Sequence, residues 1–165
     1  MIEQLKNSID IAFGGDIVEI IPEEMQPTLR VKKEYIRDVC LWLRDHPSYY
    51  FDFLSNITAV DYYPLHQFGL VYNLASIPNQ LQLTLRVDLK NEGRLERDLP
   101  EIESVSSVWR TADWHEREAY DLMGIYFINH PDLRRILLPD DWVGYPLRKD
   151  HQESEYYHGI PIKNN

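Results

Sequence analysis

Residues 113–150 read DWHEREAYDLMGIYFINHPDLRRILLPDDWVGYPLRKD, and this stretch decides how the rest of the chain is interpreted. It begins with the spacing of a short helix and continues as a long segment that follows neither a helical nor a strand period. Pro131, Pro139 and Pro146 interrupt it, and charges of both signs lie between aromatic residues and leucines. Disordered tails are poor in such apolar residues, so the pattern indicates a surface that another protein covers.

Four parts of the stretch have a characteristic order and spacing: EREAYDLMGI at 116–125, HPDLRRILL at 130–138, DDW at 140–142 and GYPLRKD at 144–150. Together they resemble the signature of the 30 kDa subunit family of respiratory complex I, known in bacteria as the C subunit of NADH-quinone oxidoreductase. The resemblance marks these signature residues as partner-binding or structural: Glu116, Arg117, Glu118, Asp121, His130, Arg134, Arg135, Trp142, Tyr145, Pro146, Arg148, Lys149 and Asp150.

The resemblance implies a peripheral-arm subunit of a proton-translocating NADH:quinone oxidoreductase. Such a subunit would scaffold the quinone-reducing module and carry no catalytic residue and no cofactor of its own. FMN, iron–sulfur clusters and quinone are then expected in partner subunits. The expected partners are the D subunit, of the 49 kDa type, and the B and I subunits. The expected location is the cytoplasmic side of the bacterial cell membrane, as a peripheral protein.

Two alternatives stay open at this stage. Within the same class, the chain would belong to a related ferredoxin-linked or deazaflavin-linked complex, or to a membrane-bound hydrogenase. From a different class, it would be a stand-alone hydrolase with Glu118 and Asp121 as an acid–base pair. That interpretation requires a pocket and a shifted pKa, which a sequence does not display.

The composition limits the class of partner. At 165 residues the chain is long enough for one ordinary domain with a real core. Its formal net charge of −10 argues against nucleic acid and against direct docking on anionic lipid, because both attract positive surfaces. No apolar run approaches the roughly 20 residues that a membrane-spanning helix needs.

Cysteine and histidine are too sparse for a metal cofactor. Cys40 is the single cysteine, whereas an iron–sulfur cluster usually takes four thiolates. His115-Glu116 opens like the zinc-peptidase motif HExxH, but Ala119 stands where the second histidine is required. The six histidines are scattered, so the sequence predicts a chain without a metal site.

The most regular pattern in the chain lies at 81–89. Its leucines and one valine alternate with Gln82, Thr84, Arg86 and Asp88. Alternation of this kind is typical of an antiparallel sheet with one buried face and one solvated face. The sequence therefore predicts Leu85 in the core and Thr84 in water.

Similar patterns define the other elements. Helices are predicted over 1–13, 33–46, 99–109 and 113–123, and strands over 16–21, 28–31, 49–61, 68–76 and 81–89. The last three strands are predicted to form a meander. The order predicts an α+β fold, in which a mixed or antiparallel sheet has helices packed on it. The α/β domain is assigned to 1–125 and an extended, partner-binding C-terminal segment to 126–165.

The helix at 113–123 has a mixed face at i, i+3, i+4 and i+7. The residues on that face are Trp114, Arg117, Glu118 and Asp121. One interpretation is a solvated charged surface. The other is a buried or semi-buried ion network that fixes the tail, in which Arg134 and Arg135 pair with carboxylates of this helix or of a partner, because arginine suits bidentate pairing. Asp113 with Glu116 predicts a capping box, and Gly124 predicts the end of the helix.

Overall fold

The computed structural model describes residues 2–22, 25–91, 98–152 and 154–161. Its centre is a five-stranded sheet made of β1 (Val18–Ile21), β2 (Thr28–Val31), β3 (Phe53–Asp61), β4 (Gln67–Ser76) and β5 (Leu81–Lys90). The order across the sheet is β1-β2-β5-β4-β3, with β2 and β5 parallel and the other neighbours antiparallel. The mixed sheet and the meander of β3, β4 and β5 are both confirmed.

Helices complete the α+β fold that the sequence predicted. The described part of the chain contains α1 (Ile2–Phe13), α2 (Ile36–Asp45) and α3 (Ala112–Met123), and a 3-10 turn at Lys33–Tyr35 leads into α2. Leu5 and Ile9 of α1 and the buried apolar residues of α2 lie in the same core as the inner face of the sheet. Within the described ranges, none of the helices has the length and apolar character needed to cross a bilayer.

Strand β5 shows what alternation predicts and what it misses. Leu83, Leu85, Val87 and Leu89 are buried, as predicted. Thr84 is only 8% exposed, however, and its hydroxyl donates to Asn73 Oδ1 at 3.0 Å. The expectation that Thr84 faces water is wrong, because β5 lies between β2 and β4 and the Thr84 hydroxyl is hydrogen-bonded to Asn73 of β4.

The helix predicted over 99–109 is also wrong. Glu101–Glu103 forms β6, which pairs in parallel with β7 (Tyr126–Ile128). The apolar residues that suggested a helix face are nonetheless buried: Ile102, Val105, Val108 and Trp109. The helical hydrogen bonds cannot form, because the Val105 N–H donates to Glu116 Oε1 at 2.7 Å and not to a carbonyl four residues earlier.

The predicted extended C-terminal segment is confirmed. Beyond β7 the chain is irregular until a small hairpin of β8 (Tyr156–Tyr157) and β9 (Ile160–Pro161). Glu153 and residues 162–165 of the predicted segment lie outside the described residues. Residues 129–150, which we call the docked segment, pack back on the domain and bury Tyr145 and Arg148.

Candidate partner-binding site

Helix α3 carries the docked segment, because several of its polar side chains point inward. Glu116 and Asp121 are fully buried, and Arg117 is 8% exposed. Trp114 and Glu118, which share the predicted polar stripe, are exposed. Each of the two interpretations of this helix face therefore holds for one part of it: Asp121 belongs to a buried ion network, and Glu118 lies on a solvated surface.

The two ends of α3 give opposite outcomes for the sequence predictions. Gly124 ends the helix in the left-handed region at φ +66°, which confirms the predicted stop. A Cβ there would lie 2.6 Å from Arg148 Nη2, so glycine also leaves room for the docked segment. The predicted capping box is wrong: Thr111 is the N-cap residue and makes no side-chain cap, while the Glu116 carboxylate is bonded elsewhere.

Asp121 fixes the start of the leucine-rich part of the docked segment. Its Oδ2 accepts hydrogen bonds from the backbone N–H groups of Ile136, Leu137 and Leu138 at 3.0, 2.8 and 2.9 Å. Its Oδ1 lies 2.7 Å from Nη1 of Arg135. Burial acts to raise the pKa of Asp121, but these four donors outweigh it and hold the pKa below its usual range.

Arg135 joins α3 to a later part of the docked segment. Besides the Asp121 carboxylate, its Nη1 donates to the Asp121 main-chain carbonyl at 3.2 Å. Its Nη2 donates to the carbonyls of Trp142 and Gly144 at 3.1 and 3.3 Å. One planar guanidinium therefore binds Asp121, Trp142 and Gly144 at the same time, an arrangement that a lysine ammonium does not reproduce.

Two further arginines act in the same way, by donating to main-chain carbonyls. Arg117 donates from Nε to Arg134 O and from Nη2 to Arg135 O, each at 3.2 Å. Arg148 donates from Nε to Met123 O at 2.8 Å, just where α3 ends. Its guanidinium carbon lies 4.6 Å from the ring centroid of Tyr145, so the cation is packed against an aromatic face.

Arg134 behaves differently from its neighbour. It is exposed and pairs with Asp132, Nε to Oδ2 at 3.0 Å, and not with a carboxylate of α3. The predicted pair with a helix carboxylate is thus confirmed for Arg135, whereas Arg134 does not pair with α3, and its pairing with a partner stays a prediction. The reason is geometric, because consecutive side chains of an extended segment point to opposite sides.

Glu116 binds the loop that follows β6, at residues 104–105, to α3. Its carboxylate accepts hydrogen bonds from Ser104 Oγ and from the Val105 N–H. Burial raises the pKa of Glu116 to about 7, and the hydrogen bonds from Ser104 and Val105 oppose that rise only in part. This carboxyl group is therefore positioned to hold a proton near neutral pH inside the domain.

His130 lies beside Glu116, with Nε2 3.8 Å from Oε2. Its Nδ1 accepts a hydrogen bond from the Asp132 N–H at 3.0 Å, because a backbone amide can only donate. The proton then resides on Nε2, which donates to Asp113 O at 3.1 Å. The signature histidine thereby orients the turn that opens the docked segment.

The C-terminal hairpin folds against the end of the docked segment. The rings of Trp142 and Tyr157 have centroids 5.5 Å apart. Asp141 accepts from Tyr157 Oη at 3.1 Å and pairs with His158 Nε2 at 2.6 Å. These contacts bring the hairpin onto the signature tryptophan.

The remaining signature residues lie near the surface. The Lys149 N–H donates to Asp61 Oδ2 at 2.8 Å, while its side chain and that of Asp150 are exposed; Pro146 is half-buried. The docked segment and α3 also present large apolar side chains to solvent: Trp114 at 65%, Leu137 at 62%, Val143 at 71% and Leu147 at 55% exposure. We call these four residues the apolar rim.

Catalytic and metal-binding roles find little support in this geometry. Asp121 is occupied by four donors and has a lowered pKa, which does not suit a general acid or base at neutral pH. Glu118 is exposed beside a shallow groove. Across the residues that the structure describes, no three His, Cys, Asp or Glu side chains are grouped to hold a metal ion.

Sequence reasoning missed the residues outside 113–150 that complete the site. Ser104 and Val105 donate hydrogen bonds to the Glu116 carboxylate. Asp61 accepts a hydrogen bond from the Lys149 N–H, which lies 88 positions later in the sequence. Asp61 is 3% exposed and also accepts from the Tyr63 N–H at 3.0 Å. A lone aspartate at the end of a strand carries no local signal of such a distant contact.

Comparisons with known proteins agree with the signature. The family model described as "Respiratory-chain NADH dehydrogenase, 30 Kd subunit" matches residues 29–157. The C subunit of NADH-quinone oxidoreductase from Chlorobium phaeobacteroides is 44% identical over 151 residues, which cover 91% of this chain and 88% of that protein. The C subunit from Geotalea uraniireducens is 46% identical over 140 residues, covering 84% of this chain and 80% of that protein.

A solved structure of the membrane-bound sulfane sulfur reductase, an archaeal respiratory membrane complex, contains a similar chain. The TM-score is 0.73 at 22% sequence identity, covering 91% of this chain and 85% of that chain. At this identity the likeness concerns the fold alone. The family match over most of the chain and the close relatives lead to one conclusion: the chain belongs to the 30 kDa subunit family of the respiratory-chain NADH dehydrogenase.

Proposed function

We propose that this chain is a peripheral-arm subunit that carries no redox cofactor and scaffolds the quinone-reducing module of a proton-translocating NADH:quinone oxidoreductase. One observation carries the proposal. Four charged signature residues, Asp121, Arg117, Arg135 and Arg148, are used inside the chain, where they fix the docked segment to α3. Because these four groups make their contacts within the chain, the surface offered to partners consists of the apolar rim and the exposed charged residues of the signature, Glu118, Arg134, Lys149 and Asp150.

The rim has the character of a protein interface. It places an aromatic side chain on α3 and three aliphatic side chains on the docked segment, which charge-assisted hydrogen bonds hold in place, and each of the four is more than half exposed. A segment that is already ordered loses less conformational entropy when it binds. The D subunit, of the 49 kDa type, and the B and I subunits are the proposed partners, at the cytoplasmic side of the membrane.

The cofactor-free role is part of the proposal. Cys40 is buried in the core, and burial raises the pKa of its thiol, so it is unsuited to metal ligation or nucleophilic chemistry. FMN, iron–sulfur clusters and quinone then belong to the partner chains. The names of the relatives favour NADH as the electron donor over ferredoxin or deazaflavin. The stand-alone hydrolase is disfavoured by the hydrogen bonding of Asp121.

The experiment is deletion and complementation in the native host. A strain that lacks this chain is complemented with an affinity-tagged copy, and membranes are assayed for NADH:quinone reductase activity. We expect the deletion to abolish the activity and the tag to recover several other subunits with their FMN and iron–sulfur absorption. The purified chain alone is expected to be colourless and free of metal. Recovery of the tagged chain alone, with full reductase activity in the deletion strain, contradicts the proposal.

A further inference from the structure

Strand β3 is an edge strand, with β4 as its one hydrogen-bonded neighbour in the five-stranded sheet. The Tyr62 N–H donates to Gln67 O at 2.9 Å, and the register continues without a break back to Asn56↔Asn73. In an antiparallel pair, every second residue directs its N–H and C=O to the neighbouring strand. Counting back from Tyr62, residues 60, 58 and 56 face β4.

The residues in between direct their backbone groups to the open side. These are Ile57 and Ala59, and neither their N–H nor their C=O groups on that side have a hydrogen-bond partner among the residues described. The stretch Asn56–Ala59 also lacks lysine, proline and any other charge, which are the usual devices that prevent an edge strand from pairing. The edge is therefore able to accept another strand.

A slot lies along this edge, with α3 as its second wall. The groove has a volume of about 350 Å³. Its α3 side is lined by His115, Glu118, Ala119, Leu122 and Met123. At one end Thr111 Oγ1 donates to Leu54 O at 3.3 Å and brings the helix against the strand. Leu147, whose N–H donates to Leu122 O at 3.1 Å, closes the other end.

The lining defines the chemistry of the occupant. Free N–H and C=O groups on an edge are satisfied by an extended main chain, as in peptide recognition by strand addition. The apolar part of the wall, Ala119, Leu122 and Met123, suits an apolar side chain directed at α3. Glu118 is an exposed carboxylate in a chain of net charge −10, so a basic side chain is the complement on the solvent side.

A second copy of this chain suits the slot less well. Antiparallel pairing of β3 with β3 would bring two chains of net charge −10 together, with Glu118 of each near the contact.

We propose that an extended segment of a neighbouring subunit, with an apolar residue facing α3 and a basic residue facing Glu118, adds to β3 as a sixth strand in this slot. Leu147 belongs to both the slot and the apolar rim, and the other residues that line the slot lie outside the rim. Strand addition rests on the proposed function only in assigning the segment to a subunit of the same assembly.

Hydrogen exchange at single amides tests the proposal. Exchange is measured in the isolated full chain and in the complex recovered with the tagged chain. In the isolated chain we expect the Ile57 and Ala59 amides to exchange rapidly, while Thr58 and Val60 are protected by β4. In the complex, exchange at Ile57 and Ala59 should slow by about a hundredfold or more, because those amides become hydrogen-bonded. Equally fast exchange in both samples overturns strand addition.

A matched pair of variants supplies the second arm. Ala59→Pro removes an outward N–H without removing a hydrogen bond to β4, and Ala59→Val keeps that N–H. We expect both to fold, with A59P recovered in the complex at about one-tenth of the wild-type yield and A59V at the wild-type yield. Normal recovery of folded A59P contradicts the proposal. If A59P does not fold, Glu118→Lys takes its place: reduced recovery supports the basic partner and unchanged recovery contradicts it.

The two proposals fail in different ways. If the tagged chain recovers no other subunit, both are overturned. If it recovers them while Ile57 and Ala59 still exchange rapidly, the scaffolding role survives and the slot does not bind a strand. Light scattering of the isolated chain completes the set: a dimer that A59P abolishes would assign the slot to a second copy and overturn a neighbouring subunit as its occupant.

Discussion

The carboxylate of Asp121 lies 2.7 Å from the guanidinium of Arg135, and both groups belong to the interior of the chain. The pair joins the last turns of α3 to a segment with no regular structure. Three backbone N–H groups complete the coordination of the carboxylate. A stretch that looks unable to fold alone is thereby given one conformation by the helix that precedes it.

Asp121→Asn should destabilise this arrangement. The amide keeps the size of the side chain but removes the charge that Arg135 and the three N–H groups require. We expect a loss of about 3 kcal/mol in the free energy of unfolding, because a largely buried arginine is left without its counterion. Urea titration followed by circular dichroism measures it. Asp132→Asn removes an exposed ion pair and should cost much less. Equal losses in the two variants would contradict a stabilising role for the hydrogen bonds around Asp121.

Arg135→Lys should be harmful and Arg134→Lys tolerated. Lysine cannot reach Asp121, Trp142 and Gly144 together, whereas the exposed pair of Arg134 with Asp132 survives the exchange. The measurement is limited proteolysis of the isolated chain. We expect cleavage within 136–147 to become about tenfold faster in R135K only. Equal cleavage rates in the two variants would refute the assignment of distinct roles.

The sequence predicted the elements whose patterns are local and missed those set by distant partners. The alternation at 81–89 identifies β5 because, in a strand, the apolar or polar character of each residue indicates which face of the sheet it lies on. The helix at 99–109 fails because Val105 donates to Glu116 and because β6 pairs with β7, both outside the local pattern. Apolar spacing alone does not distinguish a buried helix from a strand followed by a turn.

The candidate site shows the same division. That Arg135 pairs with a helix carboxylate follows from charge and proximity in sequence. Other contacts depend on the folded path of the chain. Arg117 and Arg148 donate to main-chain carbonyls, and Asp61 accepts a hydrogen bond from the N–H of Lys149, 88 positions away. The family signature includes Arg117, Arg148 and Lys149, but it does not show that these residues make their contacts within the chain.

Glu116 should make stability depend on pH. Its pKa is raised from 4.5 in the unfolded chain to about 7 in the fold, so the folded protein binds the proton more tightly. The resulting stabilisation is fully present below pH 4.5 and is lost as the pH rises through 7. The neighbouring groups are His130, Asp113, Cys40 and Tyr72.

The test is Glu116→Gln, which keeps an acceptor for the Val105 N–H and removes the titration. Between pH 5 and 9 the wild-type free energy of unfolding should fall by roughly 3 kcal/mol more than that of the variant. Chemical denaturation at several pH values measures this difference. Glu118→Gln, on the exposed side of α3, should leave the wild-type pH dependence unchanged. Parallel curves for E116Q and wild type would mean that Glu116 does not titrate in this range.

Leu85→Ala should cost about 2–5 kcal/mol, because the side chain is fully buried in the central strand. Thr84→Ala should cost about 1 kcal/mol, since it removes the hydrogen bond to Asn73 from a nearly buried site. Both values come from one denaturant titration series. A larger loss for Thr84→Ala than for Leu85→Ala would contradict the assignment of the core face.

The central claim is that inward-facing charges hold the docked segment so that the apolar rim binds partner subunits. The most direct measurement compares Val143→Asp, in the rim, with Ile11→Asp, at a still more exposed apolar position on α1. Each tagged variant is expressed in the deletion strain, its thermal melt is recorded, and the subunits recovered with it are quantified. We predict that both variants melt like the wild type, that I11D recovers the complete assembly, and that V143D recovers little of it. Full assembly and normal reductase activity with V143D would contradict the account.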